Sequence, residues 1–174
     1  MATIAFDRIY QLKITLMGSK PPIWRRILVP ANISFHKLHS YIQFAMGWES
    51  YHLYGFKIPP TGTKVDESIF YGKIGTLIDD DSTRKPKTTK IAEYLFEPKQ
   101  QIVYCYDFGD DWMHSIELEE IIEPVQGKKY PICTDGKRAC PPEDCGGIMA
   151  YQEMLEALED PDDPDYEVAM EWFE

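Results

Sequence analysis

No run of about 18 apolar residues occurs in the 174-residue chain, which excludes a membrane-spanning helix. The opening stretch, Met1 to Arg8, has none of the apolar character of a secretory signal, so a cytoplasmic location is expected. With no signal, Cys105, Cys133, Cys140 and Cys145 are expected to be reduced thiols rather than a disulfide framework. Gly-x-Ser-x-Gly, a Walker loop, a dinucleotide fingerprint and His-Glu-x-x-His are all missing, as is any nucleophile with an assignable base. Positive charge is missing from the end of the chain: Ala139 to Glu174 carries twelve carboxylates and no Lys or Arg. The other 138 residues balance to a net charge of +1, so the net −11 arises entirely from the −12 of that C-terminal fifth. An end so acidic repels phosphates and disfavours nucleic acid as a partner, while serving well as a solvated helix surface.

The chain as a whole has ample material for a core, with 44% hydrophobic and 13% aromatic residues. Tyr10, Leu12, Ile14 and Leu16 alternate with polar residues and predict a strand, paired across Gly18–Pro22 with a second over Ile23 to Val29. Ser34 caps a predicted helix with Phe35, Leu38, Tyr41, Ile42, Ala45 and Met46 on its apolar face, stopped at Gly47. An aromatic strand is expected over Tyr51 to Ile58. A long excursion follows over 61–88 with a short strand near Ile74 to Ile78, then a short helix from Ile91 to Phe96. Gln101–Phe108 and Trp112–Glu119 predict a hairpin across Gly109-Asp110-Asp111. Residues 126–147 read as a Cys/Pro/Gly loop, and helices are expected over Ile148–Leu158, with Met154, Leu155 and Leu158 inward, and Tyr166–Phe173. The elements imply one α+β domain over 1–174, a mostly antiparallel sheet with helices packed on it, and an acidic helical part from about residue 139.

Two clusters could carry chemistry. Asp107, Asp110 and Asp111 crowd a hairpin tip beside Trp112 and His114; such carboxylates either accept turn amides or gather a divalent cation. Cys133, Cys140 and Cys145 are the zinc candidates, although the spacing misses the usual close pair and a fourth ligand would come from elsewhere. Cys145, near a helix start, would gain acidity there. The alternative for all three is that of small thiols in an ordered loop. His36 and His39 stand one helical turn apart, and Trp24-Arg25-Arg26 with Lys37 offers either a small basic patch or ordinary cross-strand ion pairing.

Several stretches together resemble the plasmid pRiA4b ORF-3-like family: Tyr10–Ile14 leading to Pro22–Arg26, Leu38–Trp48, His52–Phe56, Tyr106–His114 and Arg138–Gly147. The resemblance implies an α+β fold and, for some members, residence on mobile elements; it supplies no catalytic residues. Members with Val at the position of Cys145 speak against a zinc role for that thiol. The reading adopted is a small soluble binding module without catalysis of its own and without a required cofactor. Its candidate groove is formed by Trp48, His52, Tyr54, Asp107, Asp110, Asp111, Trp112 and His114, suited to a protein or peptide partner. The alternative is a metal-dependent hydrolase of nucleic acid or another phosphoester, with Asp107, Asp110, Asp111 and His114 as ligands or base, and zinc or another divalent metal as cofactor.

Overall fold

The structure is a computed structural model that describes residues 7–59, 73–75 and 85–173. Among the described residues, seven strands form one sheet: β1 (Ile9–Leu16), β2 (Ile23–Pro30), β3 (Tyr54–Lys57), β4 (Lys73–Gly75), β5 (Gln101–Tyr106), β6 (Trp112–Ile122) and β7 (Ile132–Lys137). Their order is β4-β3-β5-β6-β1-β2-β7, with every pairing antiparallel. The helices are α1 (Phe35–Met46), α2 (Gly147–Ala157) and α3 (Tyr166–Glu171), and the fold is α+β. No described helix is long and apolar enough to cross a membrane.

Period-two patterning explains why the sheet has one dry face. Tyr10, Leu12, Ile14 and Leu16 of β1 are fully buried, as are Ile116 and Leu118 of β6, and each such side chain contributes roughly 1.5–3 kcal/mol by leaving water. The outward positions form a polar ladder. Arg26 donates to Glu119 through Nε (2.6 Å) and Nη2 (2.9 Å) and reaches Asp135 at 3.2 Å, while Gln11 donates to Glu119 at 3.0 Å. The Arg26 hydrogen bonds hold the Glu119 carboxyl below its usual range. Arg26 thus pairs with acids as expected. Arg25 does not: its guanidinium donates to the carbonyls of Ala45, Trp24, Lys137 and Arg138 and to Cys140 Sγ, locking β2 to the end of β7.

Ser34 Oγ accepts from Lys37 N (3.2 Å) and starts α1; Gly47, at φ 83°, ends it with its N–H donating to Gln43 O. Phe35, Leu38, Ile42 and Met46 face the sheet as predicted, but His39 and Gln43 are buried beside them while Tyr41 and Ala45 sit at the margin. Both polar side chains turn inward because Tyr104 offers its hydroxyl: His39 Nδ1 lies 2.7 Å from it and Gln43 Nε2 donates to it at 3.0 Å. The His39 ring stacks on Tyr54, centroids 3.6 Å apart.

Several sequence expectations need correction. The strand expected from Tyr51 starts only at Tyr54, because Ser50 takes φ 65° and the chain bends before joining β5. The expected helix over Ile91–Phe96 is a 3₁₀ turn at Ile91–Glu93; Gln100 Oε1 accepts from the N–H groups of Phe96 and Glu97 and turns the chain. The loop expected over 126–147 contains β7, an exposed edge strand with little alternation whose existence depends on pairing with β2. On α2 Met154 packs against the core as expected and Leu158 is half-buried, but Leu155 is 39% exposed and the fully buried side chains are Tyr151 and Ala157. Of the strand expected near Ile74–Ile78, Lys73–Gly75 is seen as β4; residues 76–78, like most of the 61–88 excursion, lie outside the described residues.

Candidate functional site

Strand pairing fixes one end of the sheet, where Tyr106 lies opposite both Tyr54 and Trp112 and Leu16 lies opposite His114. The five residues 107–111 turn the chain between β5 and β6. Asp107 and Asp111 both sit at φ 53°, a left-handed conformation that Asp tolerates better than most residues. The turn is closed by Asp111 N donating to Asp107 O (2.7 Å) and by Gly109 N donating to Asp107 Oδ1 (2.9 Å), the local capping that short carboxylates provide. Asp110 Oδ2 accepts from Gly146 N at 3.0 Å, and the Cys105 thiol donates to Asp111 Oδ1 at 3.3 Å.

A second wall comes from residues 138–147. Trp48 Nε1 donates to the carbonyl of Pro141 (2.8 Å), Glu143 accepts from the Tyr106 hydroxyl and from Glu49 N, and Asp144 follows at φ 59°. At Gly147 (φ 82°) a Cβ would stand 2.6 Å from Asp110 O, so only glycine lets α2 begin against the turn. Gly147→Ala is therefore expected to destabilise by about 2 kcal/mol or more, combining left-handed strain with a backbone clash. Urea unfolding measures it, and a cost under about 0.5 kcal/mol would show that the turn and α2 are not in hard contact.

Where the walls meet, His52, Asp107 and Asp144 bring one ligand atom each within 4.8 Å of one another. They come from the bend before β3, the hairpin tip and the 138–147 segment. His52 Nε2 lies 2.9 Å from Asp144 Oδ1 and 3.7 Å from Asp107 Oδ2. That nitrogen is buried and makes no aligned hydrogen bond, so the nearer carboxylate stands beside it rather than in line with an N–H. The two carboxylates are employed differently. Asp107 spends Oδ1 on its own turn and keeps Oδ2 for the cluster, while Asp144 is largely exposed.

The sequence-predicted site residues separate into three groups. His52 and Asp107 reach the cluster. Asp110 and Asp111 belong to the same tip but point to Gly146 and Cys105. Trp48, Tyr54, Trp112 and His114 are buried, at 6%, 6%, 1% and 0% exposure, so they form the floor beneath the tip and not an open groove. Strand alternation is the reason: Trp112 and His114 share the inward face of β6 with Ile116 and Leu118. His114 therefore cannot complete a metal site with the tip carboxylates, and burial lowers its pKa to about 4.

The zinc candidates do not converge either. Cys133 is exposed on β7, Cys140 Sγ accepts from Arg25 and lies 3.7 Å from Met46 Sδ, and Cys145 is buried. Burial, aided by the charges of Asp110 and Asp144, pushes the Cys145 thiol up to about 11, reversing the acidity expected from a helix start. Cys105 is likewise pushed up to about 12, first by burial and then by its bond to Asp111. Neither is poised as a nucleophile. The residue that sequence reasoning missed is Asp144. It lies 37 positions after Asp107, and no short motif joins them; tertiary contacts bring it near, with Pro141 held by Trp48, Glu143 by Tyr106, and Gly146 and Gly147 docked on the turn.

A family model described as plasmid pRiA4b ORF-3-like protein matches residues 8–174. Among curated proteins, the uncharacterized protein y4hQ of Sinorhizobium fredii is 36% identical over 165 residues, 94% of this chain and 80% of the relative. Among solved structures, a protein of unknown function from Methanosarcina mazei Go1, MM3350, is 40% identical with a TM-score of 0.83, covering 98% of this chain and 92% of its own. Neither relative carries a stated activity. The likeness runs through the sheet, the hairpin and the 138–147 segment alike, and on that extent the chain belongs to the plasmid pRiA4b ORF-3-like family.

Proposed function

We propose that this protein is a binding module whose working site is a divalent-cation centre held by His52 Nε2, Asp107 Oδ2 and Asp144 Oδ1. One observation carries the reading: a buried imidazole nitrogen faces two carboxylate oxygens without an aligned hydrogen bond to either. A buried polar atom left so costs about 1–3 kcal/mol, and a cation bonded to all three atoms removes that cost. Ligand atoms about 3.0 Å apart subtend a right angle at a metal with bonds of about 2.1 Å, and a 3.7 Å separation opens the angle to about 120°. Both angles are ordinary in first-row coordination. One nitrogen and two oxygens suit Mn²⁺ or Zn²⁺ better than Ca²⁺, which takes oxygens only.

Three protein ligands leave further positions to water or to a partner's carboxylate or phosphate, which is how a binding module would use the ion. Titration calorimetry is expected to show one Mn²⁺ or Zn²⁺ per chain with Kd below roughly 100 μM, and Ca²⁺ at least ~tenfold weaker. Asp107→Asn retains an acceptor for Gly109 N and tolerates the left-handed backbone, so it removes the charge while sparing the turn. It and Asp144→Asn should each weaken binding at least ~tenfold, with unfolding midpoints held to within about 0.5 kcal/mol. Metal binding unchanged in both variants would refute the assignment.

A further inference from the structure

A cavity of about 250 Å³ that shares no lining residue with the His52, Asp107 and Asp144 cluster opens between the β1–β2 loop, the end of β7 and α2. Its lining is mostly apolar, with Ile23, Ile148, Tyr151 and Leu155 beside the neutral polar Ser19 and Gln152, and its two ionisable lining groups other than Tyr151 are Lys20 and Arg138. No carboxylate lines it, although α2 belongs to the segment that carries twelve acids and no base. The reason is visible in the helix: 148, 151, 152 and 155 fall on one face at helical spacing, while Glu153 and Glu156 fall off it. The walls are pinned. Gln152 Nε2 donates to Gly18 O (3.2 Å), the Tyr151 hydroxyl donates to Ala139 O (3.4 Å), and a Cβ at Gly18 would already touch Ile148.

From this we infer a second binding site, for a short aliphatic carboxylate: the hydrocarbon tail enters between Ile23, Ile148 and Leu155 and the carboxylate remains at the mouth between Lys20 and Arg138. The apolar lining calls for an apolar body, and two exposed cations without an acid call for an anionic head that stays partly hydrated. A volume of this size admits about ten non-hydrogen atoms, the size of octanoate. The site is independent of the metal proposal, sharing none of its ligands.

The experiment is an amide chemical-shift titration of the isotopically labelled full chain with sodium octanoate, and in parallel with octylamine and with inorganic phosphate. Saturating shifts are expected at residues 19–23, 138–139 and 148–155, with Kd in the range of roughly 0.1–1 mM. Octylamine and phosphate should bind at least ~tenfold more weakly. The double variant Lys20→Gln with Arg138→Gln changes two exposed side chains, leaves the spectrum elsewhere unchanged and should weaken octanoate at least ~fivefold. Absence of saturable shifts at about 10 mM octanoate would overturn the inference. Equal binding of octylamine, reproduction of the shifts by phosphate alone, or full affinity in the double variant would do the same.

Discussion

Trp48→Ala is expected to destabilise the protein by about 3–5 kcal/mol, the range for removing a buried aromatic side chain. Trp48 is 6% exposed and stacks on Tyr106 (centroids 5.1 Å apart) while also meeting Trp112 at 5.8 Å and His114 at 5.4 Å. Its loss opens a cavity under the hairpin tip and strands the buried carbonyl of Pro141, which accepts from Trp48 Nε1. Trp48→Phe separates the two terms: it keeps part of the ring and loses the hydrogen bond, for an expected cost of about 1–2 kcal/mol. Urea unfolding at constant m measures both. The consequence for function is positional. Trp48 anchors the segment that carries Glu143 and Asp144, so hydrogen exchange at Gly146 N, which donates to Asp110, should accelerate in Trp48→Ala beyond the global loss. A cost under about 1 kcal/mol would mean that the segment is held by something other than this indole.

Acid should unfold the protein in two stages, the first set by histidine. Burial holds His39 and His114 to pKa values of about 4, with the charge of His36 adding to the effect at His39. Around His39 the titratable neighbours are His36, Tyr54, Tyr104 and Tyr106, with Ser50 Oγ 2.6 Å from Nε2; around His114 stand Tyr104, Trp48 and Trp112. No carboxylate appears among these contacts to hold either imidazolium. Since the folded values lie below the ordinary 6.5, the unfolded chain binds the extra protons, and stability rises with pH across that interval. Stability is thus fully present above about pH 6.5 and falls as pH drops towards 4, by up to roughly 3 kcal/mol per histidine. Glu119, whose carboxyl Arg26 holds low, adds its own loss only at lower pH. His114→Phe removes one proton site without changing the ring's place in the core and should flatten the slope by about half. An unfolding midpoint independent of pH between 7 and 4, judged against the ordinary histidine range of about 6.5, would contradict this.

How much of this was readable from the sequence follows from which forces are local. β1, β2, the β5–β6 hairpin and α1 were legible because period-two alternation, Ser34 and Gly47 act within a few residues. β7 was not, because an exposed edge strand has no buried face to leave a pattern and borrows its conformation from β2. His39 and Gln43 were missed as core residues for a related reason. A polar side chain reads as outward until Tyr104, over sixty positions away, supplies its partner. At the candidate site the turn amides of Asp107 and the alternation that sends Trp112 and His114 inward along β6 are both legible, and it is the open groove drawn through those two rings that the burial overturns. Asp144 is invisible as a partner of Asp107 in the sequence, since their meeting depends on tertiary contacts that hold the 138–147 segment: Trp48 to Pro141, Tyr106 to Glu143, and Gly146 and Gly147 against the turn.

The cation centre is tested most directly by crystals of the full chain grown with Mn²⁺ and measured at a wavelength where manganese scatters anomalously. The account predicts one strong peak about 2.0–2.3 Å from His52 Nε2, Asp107 Oδ2 and Asp144 Oδ1, absent in crystals of Asp107→Asn grown the same way. A peak among Cys133, Cys140 and Cys145, or none beside His52 at saturating Mn²⁺, would contradict it.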